Sequence, residues 1–157
     1  MNRCPMTRVG YEQLREELKR LKTKDRYDVA REIEAARGHG DLSENAEYDA
    51  AKEKQGHLEA RIRDMEDRLA QAEVIDPAGL DSDRVVFGAT VVLEDLESGA
   101  EVRMQIVGPD EADVKQGKIS VHAPLARALI GKEADDEVVV QAPGGTRTYG
   151  ILEILFV

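Results

Sequence analysis

Two acidic residues, Asp41 and Glu44, lie three positions apart between two long helical patterns. Carboxylate oxygens are hard ligands, and Mg²⁺ in proteins is often held by one or two carboxylates together with waters and substrate phosphates. Two exposed carboxylates cannot bind this ion tightly by themselves, so a second molecule would have to supply the remaining ligands. In this interpretation the two residues form half of a metal site, which is completed only in a complex.

The same two residues also suit a purely structural role. An acidic residue at the N-cap position, followed three residues later by glutamate, forms a capping box at the start of a helix. The positive end of the helix dipole stabilises both carboxylates as well. From spacing alone, capping is the simpler interpretation of Asp41 and Glu44, and metal binding is the alternative.

The elements that must position these acids are two helices joined by a tight reversal. Gly38 and Gly40 permit positive φ without steric cost, so a helix can end and the chain can reverse there. Thr7 is a candidate N-cap for the first helix. Apolar residues repeat at the four-three spacing of a coiled coil, with Asp25 interrupting the first seam. The seam residues are Leu14, Leu18, Leu21, Val29, Ile33 and Ala36, then Tyr48, Ala51, Gln55, Leu58, Ile62, Met65, Leu69 and Ala72, and the second seam continues backward to Glu44.

This pattern predicts an antiparallel helical hairpin whose two seams pair with each other. About 30 residues at 1.5 Å per residue give an arm of roughly 45 Å, with Asp41 and Glu44 at its far tip. An arm of this length exposes much surface, which suggests that the tip has to reach something. Arg37 and Lys52 lie on opposite sides of the tip and could flank it as a basic patch. The basic cluster within residues 19–26 is most simply interpreted as a solvated face, and a basic stripe near a nucleic-acid strand is the alternative.

The pattern changes after the hairpin, which is predicted to span residues 1–76. Residues 77–80 indicate a linker, and residues 81–157 indicate a second domain. Pro124 suits the first position of a short helix that ends before Gly131. The predicted strands lie at residues 85–87, 90–93, 101–107, 119–121, 138–140 and 151–157. The second domain is therefore a small antiparallel sheet with one short helix, and the fold class of the whole chain is α+β.

Composition limits the classes of function. The 157 residues include 22 Lys and Arg against 32 Asp and Glu, a formal net charge of -10. Proteins that bind nucleic acid unaided usually carry a basic surplus that neutralises phosphates, so this balance argues against strong unaided binding. Cys4 is the single cysteine, which excludes an intrachain disulfide and is typical of a reducing compartment. No apolar run approaches the ~18 residues of a membrane span. We expect a cytoplasmic monomer with no membrane partner.

The residues resemble those of a known family, the bacterial Gre transcript-cleavage factors of the GreA type. The most specific part is the tip run Gly-Asp-Leu-Ser-Glu-Asn-Ala-Glu-Tyr, which begins at Gly40, and the run Ala-Leu-Ile-Gly-Lys-Glu at 128–133 is independent of it. Further matching segments lie at 51–53, 74–76, 87–91, 106–108, 110–113 and 119–121. The resemblance extends over essentially the whole chain.

The resemblance implies that the coiled coil enters the secondary channel of bacterial RNA polymerase, and that an FKBP-like C-terminal domain docks at the channel rim. In a backtracked complex, Asp41 and Glu44 would help to hold the second Mg²⁺ of the polymerase and to orient the attacking water. The polymerase itself would cleave the nascent RNA 3′ end. The chain would therefore not be an enzyme, and it would need no cofactor of its own beyond the shared Mg²⁺.

Further roles follow from the resemblance by position. Arg37 and Lys52 match the basic patch that faces the RNA 3′ segment. Ser120, His122 and Pro124 fall in the region implicated in docking on the polymerase. Capping and metal holding are compatible, so with the resemblance in hand we expect both at the tip. The intact tip acids favour cleavage over inhibition, and the acidic balance favours the GreA type over the more basic GreB type.

Two other functions stay open from the sequence. A prolyl isomerase or chaperone built on the FKBP-like domain would need an aromatic-lined apolar pocket, whereas residues 81–157 contain only Phe87, Tyr149 and Phe156 as aromatics. A channel-binding inhibitor of RNA polymerase would share the architecture, but its effect would not depend on the tip acids.

Overall fold

A computed structural model describes residues 3–38 and 45–157 of the chain. Helices dominate the first half and strands the second, so the predicted α+β class is confirmed. Within the described residues, no helix is both long enough and apolar enough to span a lipid bilayer.

The chain forms two compact units. Glu12–Gln71 is one unit, and Met1–Tyr11 together with Ala72–Val157 is the other. This division differs from the predicted hairpin of residues 1–76, because short strands at both ends of that range pair with each other. Strand β1 (Cys4–Thr7) runs parallel to β2 (Ala72–Ile75), with Cys4 opposite Ala72.

The helical unit is the predicted hairpin. It has two helical halves, one before and one after the tip, and each half is called an arm from here on. Thr7 caps the first helix, because its Oγ1 accepts a hydrogen bond of 3.2 Å from the backbone N–H of Gly10, which confirms the predicted N-cap. The helices are α1 (Arg8–Arg20), α2 (Arg26–Arg37) and α3 (Asn45–Ala70), and a π-helical segment (Leu21–Asp25) joins α1 to α2.

The π-helical segment explains why Asp25 interrupts the first seam. Leu21 and Val29 are both buried although they are eight residues apart. In an α-helix of 3.6 residues per turn, eight residues rotate about 80° beyond two full turns, which would turn Val29 away from the seam. A π turn holds more residues than an α turn, so the segment absorbs this excess rotation. Both apolar residues therefore face α3.

The two seams pair with each other, as predicted. One buried cluster joins Leu21 to Ile62 and Met65, with the partly buried Leu14, Leu18 and Leu58 packed against it. A second cluster nearer the tip joins Val29 and Ile33 to Ala51, with Tyr48 and Leu58 packed against it. The seams thus form a continuous apolar contact along the hairpin.

Ion pairs cross between the arms beside these seams. Arg26 donates two hydrogen bonds of 2.9 Å to the carboxylate of Glu59, and this contact holds the pKa of Glu59 below its ordinary value. Two members of the basic cluster at 19–26, Lys22 and Arg26, therefore pair with acids of α3 while their side chains stay exposed. The other pairs join Lys22 to Glu66 at 3.5 Å, Lys54 to Glu32 at 2.9 Å and Arg61 to Glu17 at 2.6 Å. Exposed pairs of this kind contribute little stability each.

The second unit contains a five-stranded sheet in the order β5-β4-β3-β7-β6. Its helix α4 (Pro124–Leu129) has Pro124 in the first turn, as predicted. The side chains of Val91, Leu93, Ile106, Leu129 and Ile151 are fully or almost fully buried in its core. The strands are β3 (Thr90–Asp95), β4 (Glu101–Val107), β5 (Lys118–Ser120), β6 (Glu137–Ala142) and β7 (Gly145–Leu155).

Three details of this unit differ from the sequence prediction. Strand β7 begins at Gly145 and not at the predicted Ile151. The sheet is mixed rather than antiparallel, because β5 pairs parallel to β4 with Ile119 opposite Ile106. The predicted strand at 85–87 is absent, and Val85 instead exchanges two backbone hydrogen bonds of 2.8 Å with Gly131 and Lys132. Val85 is fully buried, so its apolar signal reflects the core and not an extended strand.

One carboxylate ties the N-terminal residues to the sheet. Glu111 follows β4, and its Oε2 accepts hydrogen bonds of 3.0 Å from the backbone N–H groups of Thr7 and Gly108. Its Oε1 accepts a further hydrogen bond from the Thr7 hydroxyl. A Cβ added at Gly10 would overlap the Glu111 carboxyl group, so a larger residue at that position would displace this side chain. Glu111 therefore joins the end of β1 and the first turn of α1 to the turn after β4.

We expect Glu111→Ala to lower the free energy of unfolding by about 2 kcal/mol, because Thr7 is 4% exposed and its N–H would lose its acceptor without gaining water. Urea unfolding followed by circular dichroism measures the change. Glu97→Ala removes an exposed carboxylate from a turn and is expected to stay within about 0.5 kcal/mol of the parent protein. Equal stability of the two variants would contradict the role assigned to Glu111.

Candidate functional site

The structure describes the residues on both sides of the tip, up to Gly38 before it and from Asn45 after it. Helix α2 ends at Arg37, and the N–H of Gly38 still donates to the carbonyl of Glu34 at 3.2 Å. Gly38 has a φ of -66°, so it does not use the left-handed freedom predicted for it. Helix α3 begins at Asn45.

The predicted metal-binding and capping acids, Asp41 and Glu44, lie outside the described residues, as do His39 and Ser43. Their roles as caps and as ligands of a shared Mg²⁺ stay predictions. Within residues 3–38 and 45–157, no group of three or more His, Cys, Asp or Glu side chains is arranged to hold a metal ion.

An aromatic ring braces the two arms directly below the tip. The guanidinium carbon of Arg37 lies 5.8 Å from the centroid of the Tyr48 ring. Arg37 is the last residue of α2, and Tyr48 lies in the first turn of α3, so the contact spans the two helix ends that hold the tip. Cation–π contacts of this kind contribute about 0.5–1 kcal/mol at exposed sites. The tip is thus carried by helix ends that are in contact with each other.

The second predicted basic residue lies on the same face of α3 as this ring. Lys52 follows Tyr48 by four residues, and residues four apart are neighbours on a helix surface. Its Nζ donates a hydrogen bond of 3.1 Å to Oε1 of Gln55, which orients the exposed side chain along the helix. The structure therefore places Arg37 against Tyr48 and Lys52 beside it, on one side of the hairpin end.

Sequence reasoning assigned Tyr48 only to the seam and missed its contact with Arg37. The spacing within each helix carries no signal for this contact, because the two residues belong to different helices. Lys54 is another cation of α3 near these residues. Its ion pair with Glu32 neutralises its charge, so Lys54 does not add a free positive charge to the patch.

The three residues predicted to dock form one compact turn between β5 and α4. The Ser120 hydroxyl accepts a hydrogen bond of 3.1 Å from the N–H of His122, and the Ser120 carbonyl accepts one of 2.9 Å from Ala123. His122 and Pro124 are exposed. The N–H of Val121 donates to the carbonyl of Val107 at 2.8 Å, which fastens the turn to the sheet. The three residues predicted to dock therefore lie together on one hydrogen-bonded turn, in which His122 and Pro124 are exposed.

The aromatic residues of the second unit do not line the open cavity at its surface. Phe87, Tyr149 and Phe156 pack against the hydrophobic core. A cavity of about 540 Å³ lies in the helical unit, and one of about 450 Å³ lies at the sheet. The lining of the second cavity is mostly polar and consists of Thr90, Arg103, Gln105, Gln116, Gly117 and Val157. This cavity does not suit an apolar proline-containing peptide.

Comparison with known proteins identifies the family of the chain. Residues 4–74 match the family described as "Transcription elongation factor, N-terminal", and residues 80–156 match "Transcription elongation factor, GreA/GreB, C-term". The chain is 57% identical to "Transcription elongation factor GreA" of Ralstonia nicotianae, with 99% of each chain covered. It is 58% identical to the protein of the same name from Anaeromyxobacter sp. (strain K), with 100% of this chain and 95% of the relative covered.

Among solved structures, GreA factor homolog 1 of Thermus thermophilus is similar to this chain at 28% identity. The match covers 98% of this chain and 99% of that one, with a TM-score of 0.45.

We expect Tyr48→Leu to remove the ring-current shift of the Arg37 side-chain methylene protons, because leucine has no aromatic face. Tyr48→Phe keeps the ring and should keep the shift. The measurement is the proton NMR spectrum of the Arg37 side chain in the three proteins. An Arg37 shift that is the same with leucine as with tyrosine would show that the contact is not formed in solution.

Proposed function

Because the chain belongs to the GreA/GreB family of transcription elongation factors, we propose that it activates RNA cleavage by RNA polymerase in backtracked complexes. In this proposal the hairpin enters the secondary channel of the polymerase and brings Asp41 and Glu44 to the nascent RNA 3′ end. The polymerase carries out the hydrolysis, and this chain supplies groups that the active site of the polymerase lacks. The observation that carries the proposal is a long, internally paired hairpin whose tip sequence contains the two acids.

The donor set suits the metal ion that the proposal requires. Asp41 and Glu44 offer carboxylate oxygens, and Mg²⁺ prefers oxygen ligands while retaining several waters. When bound, the ion would neutralise developing charge on the phosphate and lower the pKa of an attacking water. The chain's own acids would hold and orient these groups, and as a pair they are too few to retain the ion outside the complex.

The residues below the tip support binding of the RNA end. Arg37 and Lys52 lie on the face that Tyr48 shares, and their positive charges would attract the phosphates of the displaced RNA segment. The net charge of -10 disfavours unaided binding to nucleic acid, so this contact would form only where the polymerase already holds the RNA. The turn at Ser120, His122 and Pro124 is the surface of this chain that is proposed to bind the polymerase.

The first test uses backtracked elongation complexes with end-labelled RNA and Mg²⁺. We expect the parent protein to release short 3′ fragments, and Asp41→Asn and Glu44→Gln to slow their release by about 100-fold. Asparagine caps a helix as well as aspartate does, so Asp41→Asn removes the metal ligand charge and retains the cap. Asp49→Ala, which removes an exposed acid from the next part of α3, is the matched control and should cleave normally.

The alternatives give different results in this assay. Slower elongation without fragments, unchanged by either tip variant, would identify a channel-binding inhibitor and contradict the proposed function. Fragment release that is unaffected by both tip variants would show that the acids serve only as caps. An isomerase would leave the RNA intact and act on proline peptides instead.

The docking turn is tested separately from the tip. We expect His122→Glu to weaken binding to RNA polymerase by about tenfold, because it places a carboxylate at the centre of the proposed contact. Cleavage should recover at saturating concentrations of this variant, since its tip is unchanged. Gln116→Glu adds the same charge at another exposed position and should bind normally. Equal affinity of the two variants, measured by fluorescence anisotropy, would place the docking surface elsewhere.

A further inference from the structure

Strand β6 forms one edge of the five-stranded sheet, and its outer side carries unpaired backbone groups. In the part of the chain that the structure describes, β6 pairs only with β7, and the order of the sheet ends at β6. The pairing runs without interruption from Glu137 opposite Gly150 to Ala142 opposite Gly145. This edge is therefore a regular, six-residue template on which another strand can pair.

The backbone hydrogen bonds show which groups point outward. Ile151 donates to the carbonyl of Asp136 and accepts from the N–H of Asp135, at 2.9 and 2.8 Å. Its backbone therefore points toward the β6 side. Backbone groups in antiparallel strands alternate direction, so Tyr149 also points toward β6 and bonds its partner Val138.

The same alternation fixes the outer edge. Val138 and Val140 direct their N–H and C=O groups to β7, so Glu137, Val139 and Gln141 direct theirs away from the sheet. Consistently, the carbonyl of Thr148, the partner of Val139, accepts from Leu96 at 3.0 Å on the opposite side. Three residues thus offer free donors and acceptors along one line.

The opposite edge of the sheet is protected, whereas β6 is not. Strand β5 has three residues, and the backbone of Lys118 at its start exchanges hydrogen bonds of 2.9 and 3.0 Å with Asp113. Natural sheets protect their edges with short strands, lysine, proline or bulges. Strand β6 contains no lysine, no proline and no bulge, and Val139 at its centre is 60% exposed. An unprotected edge of this length suits a site that receives a strand.

The charge along the edge indicates the occupant. The exposed acids Asp135, Asp136 and Glu137 precede Val139 and Gln141, and none of the residues of β6 is basic. A second copy of the chain would bring the same acids without a cation to offset them. An incoming strand with a lysine or arginine opposite Glu137 and an apolar residue opposite Val139 would complement both positions.

We propose that the outer edge of β6 binds an extended, lysine- or arginine-bearing segment of a partner protein, which adds to the sheet as a sixth strand. Main-chain hydrogen bonds to Glu137, Val139 and Gln141 provide the attachment, and the alternating side chains provide selectivity. This site is separate from the hairpin tip and does not depend on cleavage of RNA.

The test uses the full-length protein labelled with ¹⁵N and a synthetic eight-residue peptide of alternating valine and lysine. Hydrogen exchange is measured by NMR with and without the peptide at millimolar concentration. We expect the N–H groups of Glu137, Val139 and Gln141 to exchange about tenfold more slowly with the peptide, while Val138 and Val140 do not change. Slowing that is absent, or confined to other residues, would overturn the proposal.

Variants of Val139 separate backbone pairing from charge attraction. Val139→Pro removes an outward N–H and leaves the hydrogen bonds to β7 in place, so it should abolish the effect of the peptide. Val139→Thr keeps the N–H and should retain the effect. If Val139→Pro, folded by its NMR spectrum, still binds the peptide equally well, the strand-addition site is excluded.

The choice of a basic partner is tested by charge exchange and by sedimentation. Glu137→Lys should reverse the preference, so that a valine–glutamate peptide protects the edge better than the valine–lysine peptide. Equal protection of the parent protein by both peptides would overturn the charge argument. A dimer of the parent protein that Val139→Pro abolishes would assign the edge to a second copy and would likewise overturn the proposal.

Discussion

Pairing of the two apolar seams holds the hairpin together, and the position of the tip depends on it. Isolated helices are only marginally stable in water, so α2 and α3 persist because Val29, Ile33 and Ala51 exclude water between them. The π-helical segment at Leu21–Asp25 belongs to the same constraint, since it keeps the apolar residues before and after it on one line. Without this alignment of apolar residues, the half of the hairpin next to the tip would lose its buried face.

Periodicity predicted the elements whose signal lies within a single segment. The seam of α3, the bounds of β4 and the start of α4 at Pro124 all follow from spacing or from one local residue. Pairings between distant segments leave no such signal. The sequence did not indicate that β1 and β2 would pair, nor that β5 would lie parallel to β4, because four-residue and three-residue strands acquire their identity only from their neighbours.

The candidate site shows the same limit. Charge and position selected Arg37 and Lys52, but the Tyr48 ring that contacts Arg37 was assigned to the seam, because its spacing fits there equally well. For Asp41 and Glu44 the sequence provides the residue types and their spacing, and their geometry lies outside the described residues. Glu111 is a further case: an exposed acid and a half-buried structural acceptor have the same letter in the sequence.

The pairing of β1 with β2 makes the second unit discontinuous along the chain, and this determines the order in which the units can be completed during synthesis. Glu12–Gln71 is contiguous and can fold as soon as it leaves the ribosome, whereas β1 is made first and must wait for the sheet that follows. The finished hairpin then assists this step. The two ends of the hairpin lie at the same side. The chain between β1 and β2 therefore already forms a closed loop, and the entropy cost of closing it has been met before β1 pairs with β2.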